Sequence, residues 1–165
     1  MDKAFWEEKL APFLAQLQAA GSDQQCIIDP ASVVTAPWVR YKCQFGCGKY
    51  GKSPLCPPNT PSYTETRAIL DAYSLGILYR VRSSRPGNGL AGPILRALGR
   101  AGYYKAIAFD DAPCCSLEKG QPLPQPTLEA CGVDVLASAR NNGFRVELAG
   151  NADGSWDCFG LILVE

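Results

Sequence analysis

The sequence contains no histidine, and this absence excludes several kinds of functional site. Imidazole is the commonest general base near neutral pH, a frequent zinc ligand and the usual activator of a catalytic cysteine. None of these arrangements is available in the 165 residues. A bound metal must therefore be held by thiolates, carboxylates or backbone groups.

The chain also lacks an excess of either charge and any long apolar run. Sixteen basic residues balance 16 acidic ones, so no overall field attracts nucleic acid or an anionic membrane. No segment approaches the roughly 20 apolar residues of a membrane span, and the start carries Glu7, Glu8 and Lys9 instead of a signal peptide's apolar stretch. We expect a cytoplasmic protein with no membrane partner, and a nucleic-acid partner would need a local basic patch.

Eight cysteines are present. A reducing compartment keeps thiols free, so each cysteine is a ligand, a redox group or a small buried residue. Cys26 and Cys158 lie beside apolar strand residues and are predicted to be buried. The length and the 47% hydrophobic content predict a single domain over residues 1–165.

Apolar periodicity predicts alternating helices and strands, which favours right-handed crossovers between parallel strands. The predicted fold is α/β: one three-layer domain with a mixed, mostly parallel sheet, flanking helices and a long cysteine-containing loop. The predicted helices cover 5–20, 63–73, 90–101 and 126–142, and the predicted strands cover 26–28, 38–41, 75–81, 105–109, 144–148 and 159–164.

The most informative segment is the predicted loop over residues 42–62, which has the spacing C-x3-C-x8-C at Cys43, Cys47 and Cys56. Two thiols four residues apart can reach one metal or cluster, and the third returns through a glycine-rich segment whose backbone can approach sulfur closely. The dipeptide Cys56-Pro57 also occurs at one ligand of bacterial ferredoxins. These features predict an iron-sulfur cluster, with zinc as the alternative.

Charge supports a metal at this loop. The basic residues Arg40, Lys42, Lys49 and Lys52 fall in a stretch that contains no acid. They would offset the charge of about −2 on a four-thiolate zinc site or an oxidised [4Fe-4S] cluster. Two other interpretations remain open: buried free thiols, or an RNA contact with Phe45 and Tyr50 as stacking surfaces.

The loop and a downstream motif resemble the DUF2284 family of predicted metal-binding prokaryotic proteins. The matching residues are Cys43 to Pro58, the region of Cys114, and the run Glu129-Ala130-Cys131-Gly132-Val133-Asp134-Val135. The resemblance implies metal binding, as an iron-sulfur cluster in an anaerobe-type cytoplasm, and implies no reaction. Family members often carry closely spaced cysteines in the second region, where this chain has only Cys114 and Cys115, so we expect one site.

Three cysteines leave one coordination position open. Cys114 matches the second cysteine region, Cys131 lies near the start of the predicted helix over 126–142, and an external ligand is the remaining choice. Nearby carboxylates are candidates for acid-base work or for capping and turn formation; they are Asp110, Asp111, Glu129 and Asp134.

Three functions are compatible with these patterns. The first is a [4Fe-4S] protein that transfers electrons to an unidentified redox partner. The second is an iron-sulfur enzyme whose open iron binds a small-molecule substrate. The third is a binding module with structural zinc that contacts RNA through Lys42, Lys49 and Lys52.

Overall fold

A computed structural model describes residues 2–83, 89–111, 125–146 and 154–165. Short 3-10 turns at Pro30–Ser32 and Glu129–Cys131 accompany the regular elements. The helices are α1 (Lys3–Ala20), α2 (Pro37–Gly46), α3 (Tyr63–Asp71), α4 (Ala91–Arg100) and α5 (Val135–Asn141). The strands are β1 (Gln24–Ile28), β2 (Gly76–Ser83), β3 (Ile107–Phe109) and β4 (Trp156–Leu163).

The strands form one sheet in the order β1-β2-β4-β3, and every pairing is antiparallel. The predicted α/β fold with a mostly parallel sheet is therefore wrong, and the fold is α+β. Strands β2 and β3 do run parallel to each other, because both are antiparallel to β4. The C-terminal strand lies between them, which makes β2-α4-β3 a split crossover rather than an adjacent parallel pair.

The predicted strand over 38–41 is also wrong, because these residues lie in α2. Trp38, Val39 and Tyr41 favour strands by propensity. Pro37, however, occupies the first turn of α2, where its fixed φ and missing N–H suit a helix start. The irregular loop is correspondingly shorter than predicted.

The predicted helix over 126–142 is interrupted. Its first part is only the 3-10 turn Glu129–Cys131, which ends at Gly132 with φ +79°. Asp134 then starts α5 by accepting a hydrogen bond from the Ala137 N–H at 3.0 Å. Residues 144–146 form no strand, and residues 147–148 of that prediction lie outside the described residues.

The remaining predicted elements are confirmed with small shifts at their ends. Helix α1 ends at Gly21, whose φ of +118° gives a left-handed cap. Helix α3 begins with a capping box, in which Ser62 accepts from the Glu65 N–H and Glu65 accepts from the Ser62 N–H. Local signals in the sequence were sufficient at these positions.

Apolar side chains fill both faces of the sheet. On one face, α1 and α4 pack against alternate strand residues that include Ile77, Tyr79 and Ile162. On the other face, α3, α5 and the segment around Val133 pack against residues that include Leu78 and Leu161. Among the described helices, none is both long enough and apolar enough to cross a membrane.

The turn from Glu129 to Gly132, hereafter the 129–132 turn, joins three other parts of the chain. The carbonyl of Ala130 accepts a bond from the Thr60 hydroxyl at 2.6 Å, and that of Cys131 accepts from the Thr66 hydroxyl at 2.7 Å. The carbonyl of Gly132 accepts from the Ala36 N–H at 2.8 Å. The end of the cysteine loop, α3 and the start of α2 are thus fixed to one short turn.

A buried polar cluster lies at the start of α4. The Tyr79 hydroxyl is 3.0 Å from an oxygen of Asp110 and 3.0 Å from one of Asp111. The N–H groups of Leu90 and Ala91 donate to Asp111 and Asp110 respectively. Burial, together with the neighbouring Asp111, raises the pKa of Asp110 from 3.8 to about 6.

Gly132→Ala is predicted to destabilise the protein strongly. A Cβ at this position would lie 2.7 Å from the Tyr63 Cβ, and the left-handed φ adds strain. We expect a loss of about 3 kcal/mol in the free energy of unfolding, measured by urea denaturation. Gly143→Ala is the matched control, because Gly143 has φ +80° with open space around it. The expected loss in the free energy of unfolding for this variant is about 1 kcal/mol. Equal losses in the two variants would contradict the packing argument.

Asp110 is predicted to make stability fall as the pH rises from about 4 to about 6. The folded state binds the Asp110 proton more tightly than the unfolded chain does. The contribution of Asp110 to the free energy of unfolding is therefore complete below the pKa of the unfolded chain and is lost as the pH passes the pKa of the folded state. Urea unfolding at several pH values would show this slope as a difference between wild type and Asp110→Asn. Parallel curves for the two proteins would remove Asp110 as its source.

Candidate metal centre

Helix α2 carries two of the predicted ligands. Cys43 is in the last turn, and Cys47 follows the helix end, with its N–H bonded to the Cys43 carbonyl at 3.2 Å. The spacing of four residues places both cysteines on one side of the helix end. Cys43 is half-buried and Cys47 is exposed, so a metal can approach them from solvent.

The loop after α2 is built from successive hydrogen-bonded turns that return to Cys56. The Gly51 N–H donates to the Pro57 carbonyl at 2.9 Å and so closes the loop. The Cys56 N–H donates to the Ser53 carbonyl at 3.0 Å, and the Asn59 N–H donates to the Cys56 carbonyl at 2.9 Å. Cys56 is buried, with 2% of its surface exposed. The predicted irregular loop is therefore ordered through its own backbone.

Arg40 ties α2 to the far end of this loop. Its guanidinium donates to the carbonyl oxygens of Thr60, at 3.0 Å, and of Pro61. The side chain thus holds the two segments that carry Cys43 and Cys56, and it brings a positive charge to the thiols.

The electrostatics of Cys43 identify its neighbours. Burial raises the pKa of the Cys43 thiol; the charges of Cys47, Glu129 and Cys56 raise it further, and Arg40 lowers it. The charges of both other motif cysteines therefore reach Cys43. Across the part of the chain that the structure describes, no three cysteine or carboxylate side chains converge closely enough to enclose a metal ion.

Cys131 differs from the other three cysteines. It has no exposed surface and belongs to the apolar core beneath the sheet. The pKa of its thiol is raised to about 12, chiefly by burial. The charge of Arg40 opposes this rise, and the charge of Glu129 adds to it. The fourth-ligand candidate Cys114 lies outside the described residues, as does Cys115. Cys26 and Cys158, predicted to be buried, are half-buried in β1 and β4.

The predicted acid-base residues divide into two groups. Asp110 and Asp111 belong to the polar cluster at α4, whereas Glu129 and Asp134 line a groove beside Cys43 and Cys47. Glu129 is open to solvent through the groove, but protein surrounds its other sides, and this burial raises the pKa of its carboxyl. Glu129 is therefore the carboxylate nearest to the candidate centre.

The groove has a volume of about 790 Å³. Trp38 and Phe45 line it and are exposed. Sequence reasoning missed this groove. The available signal was the run Trp38, Tyr41 and Phe45, which recurs at helical spacing but was assigned to a strand and a loop.

The comparison with known proteins agrees with the motif. The model of the family DUF2284, described as a predicted metal-binding protein, matches residues 26–89 and 90–164. No curated protein and no solved structure matches the chain. The two matched segments cover the 129–132 turn and the motif cysteines Cys43, Cys47 and Cys56. The chain therefore belongs to the DUF2284 family of predicted metal-binding proteins.

Proposed function

We propose that this protein holds one [4Fe-4S] cluster through Cys43, Cys47 and Cys56. The observation that carries the proposal is the placement of these three thiols, with Cys43 and Cys47 at the end of α2 and Cys56 in the hydrogen-bonded loop that returns to it. Thiolates are the ligands that iron-sulfur clusters require, and the chain has no histidine to offer instead.

The donor set favours a cluster over structural zinc. A closed zinc site needs four ligands, and such sites are commonly built from two closely spaced pairs. This chain offers one pair, Cys43 and Cys47, with Cys56 as a single third ligand. A cluster tolerates a fourth iron with an external ligand, so three cysteines suffice for it.

The surroundings argue against the RNA-binding alternative. Lys49 and Lys52 are exposed, and Phe45 could stack on a base. The adjoining groove, however, is lined by Glu129, Asp134 and Asp157, whose charge would repel a phosphate backbone.

For the fourth iron, burial makes Cys131 the weaker ligand. Ligation requires its thiolate, and deprotonation within an apolar core is costly. Cys114 or an external ligand is favoured instead. An external ligand would reach the iron through the groove beside Cys43 and Cys47, and this arrangement supports an enzyme with an open iron as the second candidate function. We place both candidate functions, electron transfer and an enzyme with an open iron, in a reducing, cytoplasmic compartment, where such thiols stay free.

Single replacement of Cys43, Cys47 or Cys56 by serine is expected to abolish cluster loading, because a hydroxyl is a poor substitute for a thiolate on iron. Iron, acid-labile sulfide and visible absorption would be measured after anaerobic reconstitution. Cys26→Ser is the matched control, since Cys26 lies in β1, and this variant should load normally. Full loading of any of the three motif variants would remove that residue from the site.

The fourth position is tested in the same assay with Cys114→Ser and Cys131→Ala. We expect Cys131→Ala to keep its cluster, while Cys114→Ser loses it if Cys114 is the ligand. Normal clusters in both variants would favour the open iron and thus the enzyme. Loss in Cys131→Ala alone, with the fold intact by circular dichroism, would contradict our ranking of these residues.

A further inference from the structure

The exposed side of α2 is unusually aromatic. Trp38, Tyr41 and Phe45 are 46%, 64% and 68% exposed, and they recur at the spacing of one helix face. The Tyr41 and Phe45 rings lie 4.7 Å apart, centroid to centroid. Helix α2 already buries Val39 in the core, so these rings are an additional apolar surface. They form one wall of the groove.

A second wall of the groove is also apolar. It consists of Val133 just before α5, Val135 and Leu136 in α5, and Phe159 of β4. This wall is held in place because the Asp134 N–H donates to the Val34 carbonyl at 2.8 Å and the Asp134 side chain caps α5. A largely apolar concavity of about 790 Å³ matches small-molecule sites, which range from about 300 to 1,000 Å³.

The charged residues of the groove are mostly acidic. Among the residues that the structure describes, Glu129, Asp134 and Asp157 line it, together with one cation, Lys42. The Asp157 side chain is buried and paired with Arg82 at 3.1 Å, and Asp134 is half-buried and accepts the Ala137 N–H. Glu129 also accepts a hydrogen bond from Thr127, but it is the exposed carboxylate of the three and so the one best placed for a ligand.

The aromatic wall already binds a cation. The Lys42 ammonium lies 4.8 Å from the centroid of the Trp38 ring, within the range of a cation-π contact. A ligand with its own ammonium group would find the same ring surface and, in addition, the Glu129 carboxylate.

We propose that the groove binds a small organic cation with an apolar, ring-containing body, which packs on Trp38, Tyr41 and Phe45 while its ammonium group pairs with Glu129. The proposed ligand site goes beyond the metal centre. It adjoins Cys43 and Cys47, so a bound molecule lies next to any cluster held there.

Calorimetric titration of the full-length protein with three compounds of similar size tests this proposal. The compounds are phenethylammonium, 2-phenylethanol and 3-phenylpropionate, which differ in charge. The cation should bind at least about tenfold more tightly than the anion, with the alcohol between them. Glu129→Gln should weaken the binding of the cation about tenfold and leave the affinity for the alcohol unchanged. Trp38→Ala should weaken binding of the cation and of the alcohol. Trp156→Ala, a replacement of another exposed tryptophan that does not line the groove, should weaken neither.

Several outcomes would overturn the proposal. These are an absence of binding by all three compounds, an anion that binds as tightly as the cation, or equal effects of the Trp38 and Trp156 variants. If Glu129→Gln does not fold, Lys42→Met tests the preference of the groove for a positive ligand. Removal of this competing cation should tighten the binding of phenethylammonium. Repetition with Cys56→Ser separates the two proposals. Cys56 is not among the residues that line the groove, so the groove should bind normally in that variant even though the cluster is lost.

Discussion

Three successive backbone carbonyls of the 129–132 turn fix the geometry on which the candidate metal centre depends. Those of Ala130, Cys131 and Gly132 accept hydrogen bonds from Thr60, Thr66 and Ala36, which belong to the loop end, to α3 and to the approach to α2. Thr60 and Thr66 are buried, so each lost bond would leave an unpaired polar group in the core. The turn therefore sets where α2 and the cysteine loop meet.

This constraint explains the second part of the family motif. Gly132 adopts a left-handed φ directly against Tyr63, where any side chain would collide. Glu129 projects from the same turn towards Cys43, and Asp134 begins α5 and one wall of the groove. This turn and the start of α5 thus supply residues that line the groove beside Cys43 and Cys47. The proposed metal site and the proposed ligand site are neighbours because they share this support.

The sequence predicted well those elements whose signals are local. Helix α1 follows from its apolar period and Gly21, and α3 from its Ser62–Glu65 capping box. The strand prediction at 38–41 was wrong because β-favouring side chains outweighed the helix-start signal of Pro37. The parallel sheet was wrong because strand order is a tertiary property: nothing local indicates that β4 lies between β2 and β3.

The site was predictable in composition but less so in arrangement. The spacing of Cys43, Cys47 and Cys56 identified a motif that the family match covers. Residue type and spacing are properties of the sequence itself and need no knowledge of the fold. The groove was not predicted, since it depends on the packing of α2 against the 129–132 turn and α5. The Gly132-Val133-Asp134 signature of a helix break was available, and it would have revealed that turn.

The central claim is the identity of the metal, and Mössbauer spectroscopy on anaerobically purified, iron-57-labelled protein tests it most directly. We expect the quadrupole doublets of a [4Fe-4S] cluster, with iron and acid-labile sulfide in equal amounts. Protein that carries one tightly bound zinc ion, no sulfide and no iron signal would contradict the account.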